Sequence, residues 1–393
     1  MRVAWITRSF LDYRVPVFTE LARRCPDGFR LFYGREVVPA RVHQKIQDQM
    51  GEHAEGLAGE MRWPKPRVAD VGDGDFANRR MSRILIQPGL ARRVLAFRPD
   101  VMVTDGFFKW TTCALRLRAT RGLSHVMCYE RTAHTERNSQ WYRTTYRKLV
   151  MRWIDAMCCN GRLCGEYVRS LGFPAERITY GHMVADVEGM RRAVSGVPKA
   201  QTESLAAQLD LRGLVFLYVG RIVTPKGIAE LLRAWMRFSR GSLRDHTTLL
   251  LVGDGPQRHP FEQYCRDNRL NNVRFAGAID YDKLGPLYKI ADAFIIPTLE
   301  DNWSLVVPEA MAAGLPILCS RYNGCWPEYV TPANGWVFDP LDPDDTLACL
   351  HKCVAAGQKL GEMGRESDRI VTMYTARQAA EAVLEACTLA LDA

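Results

Sequence analysis

Three turns in the second half of the chain carry residue types that suit a phosphate-bearing ligand. The first turn, Tyr218–Gly227, places Gly220 and then two cations, Arg221 and Lys226, directly before a predicted helix. Glycine allows a sharp backbone turn, and permanent cations beside a helix N-terminus favour binding of a diphosphate. An ordinary solvated basic loop is the alternative interpretation. The second turn, Val252–Pro256, is weaker evidence, because it has too few glycines for a dinucleotide fingerprint and lacks the Lys-Ser/Thr pair of a P-loop.

The third and strongest pattern is Glu300–Pro316, in which Asp301 and Glu309 stand eight positions apart. The first acid falls in a predicted loop and the second on the helix that follows. A carboxylate accepts two hydrogen bonds from a vicinal diol, which suits sugar or ribose hydroxyls. Backbone amides near Ser304–Val306 can face a phosphate at the helix start. Acids at a helix start also complement the helix dipole, but that explains single acids and not the whole pattern.

These turns lie between the elements of a predicted α/β fold. Short apolar runs alternate with helical stretches, which is typical of doubly wound parallel sheets, and such sheets bind ligands beyond the carboxyl ends of their strands. The predicted strands are Arg2–Ile6, Asp100–Thr104, His125–Glu130, Val215–Val219, Thr247–Val252, Val273–Phe275, Ala293–Pro297 and Pro316–Cys319. The predicted helices are Pro16–Arg24, Gln140–Ala156, Gly227–Phe238, Gln257–Asn268, Tyr281–Ile290 and Val307–Ala313.

Two further stretches define the predicted domain organisation. Hydrophobic periodicity is lost at Met190–Ser204, which predicts a linker between two α/β domains. The sequence Thr375–Gln378 has the capping-box pattern and predicts a helix to about Leu391.

Composition limits the class of protein. The 393 residues are 47% apolar, and no run approaches 18 uncharged apolar residues, which excludes a transmembrane helix. The chain becomes polar at Thr7 and Arg8, too early for a signal-peptide core, so we expect a cytoplasmic protein. The 12 cysteines follow no metal-binding spacing and are predicted to be buried apolar residues. Residues 1–190 hold 31 Lys and Arg against 20 Asp and Glu, so the net charge of +9 arises in the first half. We expect this half to meet something anionic, and the candidates are a phosphorylated acceptor, an anionic membrane surface and nucleic acid.

Residues 215–345 resemble the donor-binding domain of the retaining, GT-B-fold glycosyltransferases of family 4. The matching motifs occur in the order found in that family and cover about a third of the chain. They are VGR…KG at Val219–Gly227, GDGP at Gly253–Pro256, the FAG turn at Phe275–Gly277, and the acid-x7-acid stretch with EAMAAGLPI at Glu309–Ile317.

The resemblance implies a GT-B architecture. Two Rossmann-like, doubly wound domains would face each other across a cleft, with a C-terminal helix crossing back to the first domain. We expect an acceptor-binding domain at residues 1–192, a nucleotide-sugar-binding domain at 205–372 and the returning helix at 375–393.

The resemblance also implies roles for residues of the second domain. Arg221 and Lys226 would hold the diphosphate, Glu309 would accept hydrogen bonds from the ribose, and Asp301 or its neighbour Glu300 would contact the donor sugar. Family members usually have Glu at position 301, and glycine is common at position 304. The other expected donor-site positions are Gly220, Gly253, Phe275, Ala278, Ser304, Leu305 and Val306.

The first domain of this family varies with the acceptor, so fewer residues stand out there. Glu130 and His134 follow a predicted strand, where a carboxylate or imidazole could orient an acceptor hydroxyl or remove its proton. A solvated charged loop is the alternative for both residues. The weaker candidates at the ends of other predicted strands are Ser9, Arg14 and Asp105.

A basic and aromatic helix is predicted at residues 141–153. It suits a helix lying on an anionic membrane, whereas a helix with a buried aromatic side is the alternative. Its predicted basic flank comprises Arg143, Arg147, Lys148 and Arg152, and its apolar flank comprises Trp141, Tyr142, Leu149 and Trp153.

Taken together, these observations predict a retaining glycosyltransferase that needs no metal ion and no cofactor besides its co-substrate, a UDP-sugar or GDP-sugar. We expect a lipid-linked or saccharide acceptor in envelope or capsular polysaccharide or glycolipid assembly, with the protein at the inner face of the cell membrane. A soluble natural-product acceptor is the alternative, followed by a catalytically silent relative. A nucleic-acid-binding protein is not expected, because no recognition helix, zinc finger or RNP motif is present.

Overall fold

The computed structural model describes residues 1–26, 28–63, 84–240 and 243–393. Two separate parallel sheets organise these residues, one in each half of the chain. The first sheet has seven strands in the order β3-β2-β1-β6-β7-β8-β9, and a two-stranded antiparallel pair, β4-β5, accompanies it. The strands of this half are β1 Val3–Thr7, β2 Phe29–Gly34, β3 Ala54–Leu57, β4 Met61–Trp63, β5 Ile84–Ile86, β6 Val101–Asp105, β7 Ser124–Tyr129, β8 Ala156–Cys159 and β9 Ile178–Tyr180.

Helices cover both faces of the first sheet, so its central strands are mostly apolar and buried. All five residues of β1, for example, are buried. The helices of this half are α1 Val15–Arg24, α2 Ala40–Met50, α3 Leu90–Phe97, α4 Thr111–Arg121, α5 Trp141–Val150 and α6 Arg162–Ser170. The predicted helix Gln140–Ala156 is therefore too long, since α5 ends at Val150 and Ala156 already begins β8.

The second sheet has six strands in the order β12-β11-β10-β13-β14-β15. These strands are β10 Leu214–Val219, β11 Thr247–Val252, β12 Val273–Gly277, β13 Ala293–Ile296, β14 Ile317–Ser320 and β15 Gly335–Phe338. The helices of this half are α7 Val187–Ser195, α8 Lys199–Gln208, α9 Ile228–Phe238, α10 Leu243–His246, α11 Arg258–Asp267, α12 Gly285–Lys289, α13 Val306–Ala312, α14 Trp326–Tyr329, α15 Pro343–Ala356, α16 Lys359–Val371 and α17 Ala376–Leu391. Every strand predicted in this half is present, with ends that differ by at most two residues.

Most of the predicted linker Met190–Ser204 is helical, because it lies in α7 and α8 and only Gly196–Pro198 separate the two helices, so the linker prediction is wrong. Asp186 caps α7 by accepting a 2.9 Å hydrogen bond from the amide of Gly189. Met190 and Val194 of α7 are buried in the core of the second half, where α7 packs against α12 and α13. The chain therefore passes from one sheet to the other between Tyr180 and Val187.

The last helix, α17, returns to the first half of the chain, as the resemblance predicted. Thr375 and Gln378 form the predicted capping box at its start. Val383 and Cys387 are fully buried against α1 and the first sheet. The hydroxyl of Thr179 in β9 donates a 2.8 Å hydrogen bond to a backbone carbonyl of α17, which fixes the helix on this sheet.

The described residues also bear on membranes and metals. Among them, no helix has the length and apolar character needed to cross a bilayer. The same residues contain no group of three or more His, Cys, Asp or Glu side chains placed to hold a metal ion.

Candidate active site

The three turns singled out in the sequence meet at the carboxyl edge of the second sheet. The amide of Gly220 donates to the carbonyl of Val252 at 2.9 Å, and the amide of Gly253 donates to the carbonyl of Gly277 at 2.8 Å. Gly253 has a φ of 138°, and a Cβ atom there would lie 1.9 Å from the carbonyl oxygen of Gly220. Only glycine allows this approach, so the first two of these turns and the end of β12 form one continuous backbone surface.

The loop after β13 is fastened to the first of these turns. The carbonyl of Pro225 accepts hydrogen bonds from the amide of Leu299 at 2.8 Å and from the hydroxyl of Thr298 at 2.9 Å. This contact carries the residues after Leu299, including both candidate acids of the loop, to the side of the basic turn.

Lys226 and Asp301 form an ion pair across these two loops. The carboxylate of Asp301 is further held by the hydroxyl of Ser304, which donates to the same oxygen, and by the amide of Trp303 at 3.3 Å. In contrast, the guanidinium of Arg221 is exposed and has no ion pair or hydrogen bond within the described residues. Within the described residues, Arg221 is thus free to bind a ligand at this edge. Lys226 is paired with Asp301, which a ligand could replace.

Glu309 lies deeper, on α13, with only 7% of its surface exposed. The hydroxyl of Tyr288 in α12 donates a 3.0 Å hydrogen bond to Glu309 Oε2. Burial raises the pKa of Glu309 to about 7, although the Tyr288 hydrogen bond acts against this rise and the charge of Asp186 adds to it. This carboxyl group can therefore exchange a proton near neutral pH. Tyr288 could not be expected from its sequence context, because a buried tyrosine on a helix is an ordinary core residue.

The other expected donor-site positions lie at the same edge. Ser304 is buried and its hydroxyl is occupied by Asp301, whereas Leu305 and Val306 begin α13. Phe275 lies half-buried in β12, and Ala278 is exposed just beyond the end of that strand.

Glu300 and His134 both lie where the two domains touch. His134 Nε2 is 2.8 Å from the carbonyl oxygen of Leu299, and its ring stacks on Tyr322 with centroids 4.4 Å apart. Arg137 reaches Glu300 at 3.1 Å. The loop after β7 therefore joins the first domain to the loop that carries Asp301.

A cavity of about 230 Å³ lies in the first domain, at the carboxyl ends of β1, β6 and β7. Arg14 forms part of its wall and is buried in an ion pair with Asp105. Arg14 Nη1 also lies 2.9 Å from Nδ1 of His182, whose Nε2 lies 3.1 Å from the carbonyl of Tyr129. Burial, together with the charge of Arg14, lowers the pKa of His182 to about 3, so its ring is neutral and accepts from Arg14.

Glu130 lines the same cavity and has no side-chain hydrogen bond or ion pair within the part of the chain described. Burial raises the pKa of its carboxyl group, the charges of Arg131 and Arg14 oppose that rise, and those of Asp105 and Asp301 add to it. Because Asp301 belongs to the second domain, the cavity faces the edge where the three turns meet. Ser9 and Asp105, the weaker sequence candidates, line this cavity as well.

The basic flank predicted for residues 141–153 is wrong at Arg147. Only 1% of this residue is exposed, because its guanidinium pairs with Glu136 at 2.6 Å inside the domain. The helical pattern alone could not show that the carboxylate of Glu136 lies beside Arg147 inside the domain. The exposed residues of this segment mix both predicted flanks and are Trp141, Tyr142, Thr145, Lys148, Leu149 and Arg152.

Two doubly wound domains with a cleft between their carboxyl edges, and a last helix returning to the first, define the GT-B class of transferases. Two family models match the chain over almost all of its length: residues 12–182 match the glycosyl transferase 4-like domain, and residues 201–367 match the glycosyl transferases group 1. The chain belongs to the GT-B glycosyltransferases of the family 4 type.

Known proteins resemble the chain at low to moderate identity. An uncharacterized glycosyltransferase of Methanocaldococcus jannaschii is 35% identical over 33% of this chain and 33% of its own length. The lipopolysaccharide core biosynthesis glycosyltransferase LpsD of Rhizobium meliloti is 28% identical over 65% of both chains. The Anabaena protein Alr3699/HepE, solved with UDP, aligns with a TM-score of 0.73 at 15% identity, over 99% of this chain and 100% of its own. The chain spans less than half the length of the first curated relatives it matches.

Proposed function

We propose that this protein transfers a sugar from a nucleoside-diphosphate sugar to an acceptor hydroxyl, with retention of anomeric configuration and without a metal ion. The observation that carries the proposal is the grouping of Arg221, the Lys226–Asp301 pair and the buried Glu309 along one sheet edge. Cations there would suit the diphosphate, and carboxylates would suit the hydroxyls of the two sugar rings.

In this proposal, the donor diphosphate lies between Arg221 and Lys226. A bound phosphate competes with Asp301 for Lys226, so that donor binding frees the Asp301 carboxylate for the hydroxyls of the donor sugar. Glu300 is the alternative sugar contact, released from Arg137. Glu309 accepts from the ribose, the amides of Leu305 and Val306 face a phosphate, and the turn at 275–278 borders the base.

Charge develops on the departing diphosphate as the glycosidic bond breaks. Arg221 and Lys226 stabilise this charge, and such preorganised groups supply a large part of the rate enhancement in many enzymes. Retention follows if the acceptor hydroxyl attacks from the face that the diphosphate leaves and passes its proton to the departing phosphate oxygen. The acceptor would enter from the first-domain cavity, where Glu130 orients its hydroxyl.

A thermal-unfolding screen with UDP, GDP, ADP, dTDP and their sugars tests the proposed donor site. A ligand at 100 times its Kd adds roughly 2.7 kcal/mol to the free energy of unfolding. We expect one nucleotide to stabilise the protein clearly, and the Anabaena protein's complex with UDP-glucose supports a UDP-sugar. Lys226→Ala should lose the shift, whereas Lys289→Ala, a lysine on the same domain outside the site, should keep it. No shift with any nucleotide would favour a catalytically silent relative.

For the acceptor we propose a lipid-linked or saccharide intermediate of envelope or capsular polysaccharide or glycolipid assembly, at the cytoplasmic face of the membrane. The similarity to LpsD, a lipopolysaccharide core biosynthesis glycosyltransferase, supports this choice over a soluble natural-product acceptor. The surface of residues 141–152 supports it too, because Trp141 is 78% exposed and shares this surface with Lys148 and Arg152. Interfacial segments combine aromatic and basic side chains in this way.

Binding to vesicles tests the membrane contact. The double variant Lys148→Glu/Arg152→Glu should lose binding to phosphatidylglycerol vesicles while its unfolding temperature stays unchanged. Arg147 is left unchanged, because removing one partner of its buried ion pair with Glu136 would destabilise the fold. The matched control, Lys352→Glu/Lys359→Glu, makes the same charge change on exposed residues of the second domain. Equal vesicle binding by the two double variants would rule this surface out.

A further inference from the structure

One cation in the wall of the first-domain cavity stands apart from the rest. The other basic residues there are paired: Arg14 with Asp105, and both Arg131 and Arg147 with Glu136. The backbone carbonyl of Lys109 accepts from the hydroxyl of Thr112 at 2.9 Å, but its side-chain ammonium has no ion pair or hydrogen bond in the described part of the chain. It lines the cavity and also the smaller cleft beside it.

The backbone of Lys109 adopts an uncommon conformation. Its φ is 63°, in the left-handed region that residues with a side chain rarely adopt. Such conformations persist where the surroundings enforce them and cluster at functional sites. The residue belongs to the short connection between β6 and α4, so this geometry turns the lysine toward the carboxyl edge of the sheet.

The charges around Lys109 are of both signs. Partial loss of water lowers the pKa of Lys109, and the nearby charges of Arg8 and Arg131 lower it further, against Asp105 and Glu130. Arg8 itself is held by Glu60 at 2.7 Å. A ligand that brings an anionic group would relieve the repulsion among these three cations.

We infer that the acceptor carries a phosphate group, which Lys109 binds at the mouth of the first-domain cavity while Glu130 faces the hydroxyl to be glycosylated. This inference rests on the proposed function, because it assigns the acceptor to the cavity opposite the donor. The cavity of about 230 Å³ is smaller than the roughly 300–1,000 Å³ of sites for drug-sized ligands. It therefore suits one phosphorylated headgroup rather than a long saccharide. The phosphate could belong to a lipid carrier or to a soluble sugar phosphate.

Titration calorimetry with the nucleotide-saturated protein tests the inference. The nucleotide is the one that stabilises the protein in the thermal screen, so that its own phosphates fill the donor site. The soluble probes are glucose 6-phosphate and glucose. The lipid probes are phosphatidylcholine vesicles with and without phosphatidic acid, tested in the Lys148→Glu/Arg152→Glu background so that the basic surface of residues 141–152 does not contribute to binding. We expect a preference of at least about tenfold for the phosphate-bearing probe in one of the two arms, and that arm identifies the source of the phosphate.

Two variants remove the cation in different ways. Lys109→Gln should abolish the phosphate preference, and Lys109→Arg should retain it. Lys109→Gly also removes the cation, and it should fold at least as well as the wild type, because glycine adopts a φ of 63° without strain. Arg121→Gln, at the other end of α4, makes the same charge change away from the cavity and should behave as the wild type.

Each outcome bears on one claim. A phosphate preference that survives in Lys109→Gly, or is missing from both arms with nucleotide bound, would overturn the inference while leaving the donor site intact. Failure of every nucleotide to bind would instead count against the proposed function.

Discussion

The two sides of the cleft each contain an Arg or Lys paired with an Asp, yet the pairs are built differently. Lys226 and Asp301 join two neighbouring turns at the open edge of the second sheet, where both side chains keep some contact with water. Arg14 is buried in the wall of the first-domain cavity, held by Asp105 and by His182. A ligand can take the place of Asp301 without disturbing the fold, whereas Arg14 cannot leave its partners. The comparison separates charges that are available to a substrate from charges that shape its site.

Substituting the cation of each pair should give two distinct effects on stability. Arg14→Ala truncates a side chain that is only 4% exposed and leaves the buried His182 without its donor, so it should lower the free energy of unfolding by about 2–5 kcal/mol, the usual cost of truncating a large buried side chain. Lys226→Ala should lower it by no more than about 1 kcal/mol, because its pair is partly hydrated. Urea denaturation measures both values. Similar losses for the two variants would show that the Lys226 pair is also structural.

Arg221 should show the opposite balance between stability and turnover. It has no partner to lose within the described residues, so Arg221→Ala should leave the unfolding temperature nearly unchanged. Turnover should fall by about 10²–10³-fold, the usual effect of removing one group that stabilises transition-state charge. Steady-state kinetics with the identified donor checks this, with Arg233→Ala on the outer side of α9 as the control. Unaltered turnover would remove Arg221 from the phosphate site.

The two sides also differ in how far the sequence reveals them. The residues at the carboxyl edge of the second sheet belong to short, local motifs. Gly220, Gly253 and Asp301 each follow a strand whose apolar pattern is clear. The first-domain cavity is assembled from distant positions: Arg14 and His182 are separated by 168 residues, and no local pattern links them. The same limit explains the error at Arg147, whose burial depends on Glu136 in the preceding loop.

The predicted linker failed for a related reason. The apolar positions of α7, Val187, Met190 and Val194, follow a helical spacing, but two arginines and a glycine interrupt the stretch and hide it. Burial against α12 and α13 stabilises the helix, and that packing is a property of the tertiary structure. The returning helix, in contrast, was predictable because its capping box and apolar face are both local.

Two buried carboxylates extend the comparison to pH. Burial raises the pKa of both Glu309 and Glu130, but only Glu309 has a hydroxyl donor, Tyr288. Because the folded protein holds this proton more tightly than the unfolded chain, ionising Glu309 costs folding stability as pH rises from about 4.5 to about 7. In the proposed function the ionised Glu309 accepts hydrogen bonds from the donor ribose, so the donor KM should rise as pH falls below about 7. Glu309→Gln should abolish this pH dependence.

We expect the smallest effect among these variants from Tyr288→Phe, and we expect it only in the pH dependence of KM. The hydroxyl of Tyr288 stabilises the ionised carboxylate, so its removal should raise the pKa of Glu309 further. A single hydrogen bond is worth about 0.5–1.5 kcal/mol, so the midpoint of the KM profile should move up by at most about one pH unit. Kinetics from pH 5.5 to 9 measure the shift, and kcat at high pH should stay unchanged because Tyr288 does not touch the reacting atoms. A KM that rises equally at every pH would show that Tyr288 only supports packing, and Glu309 would then resemble Glu130 in lacking a partner that tunes it.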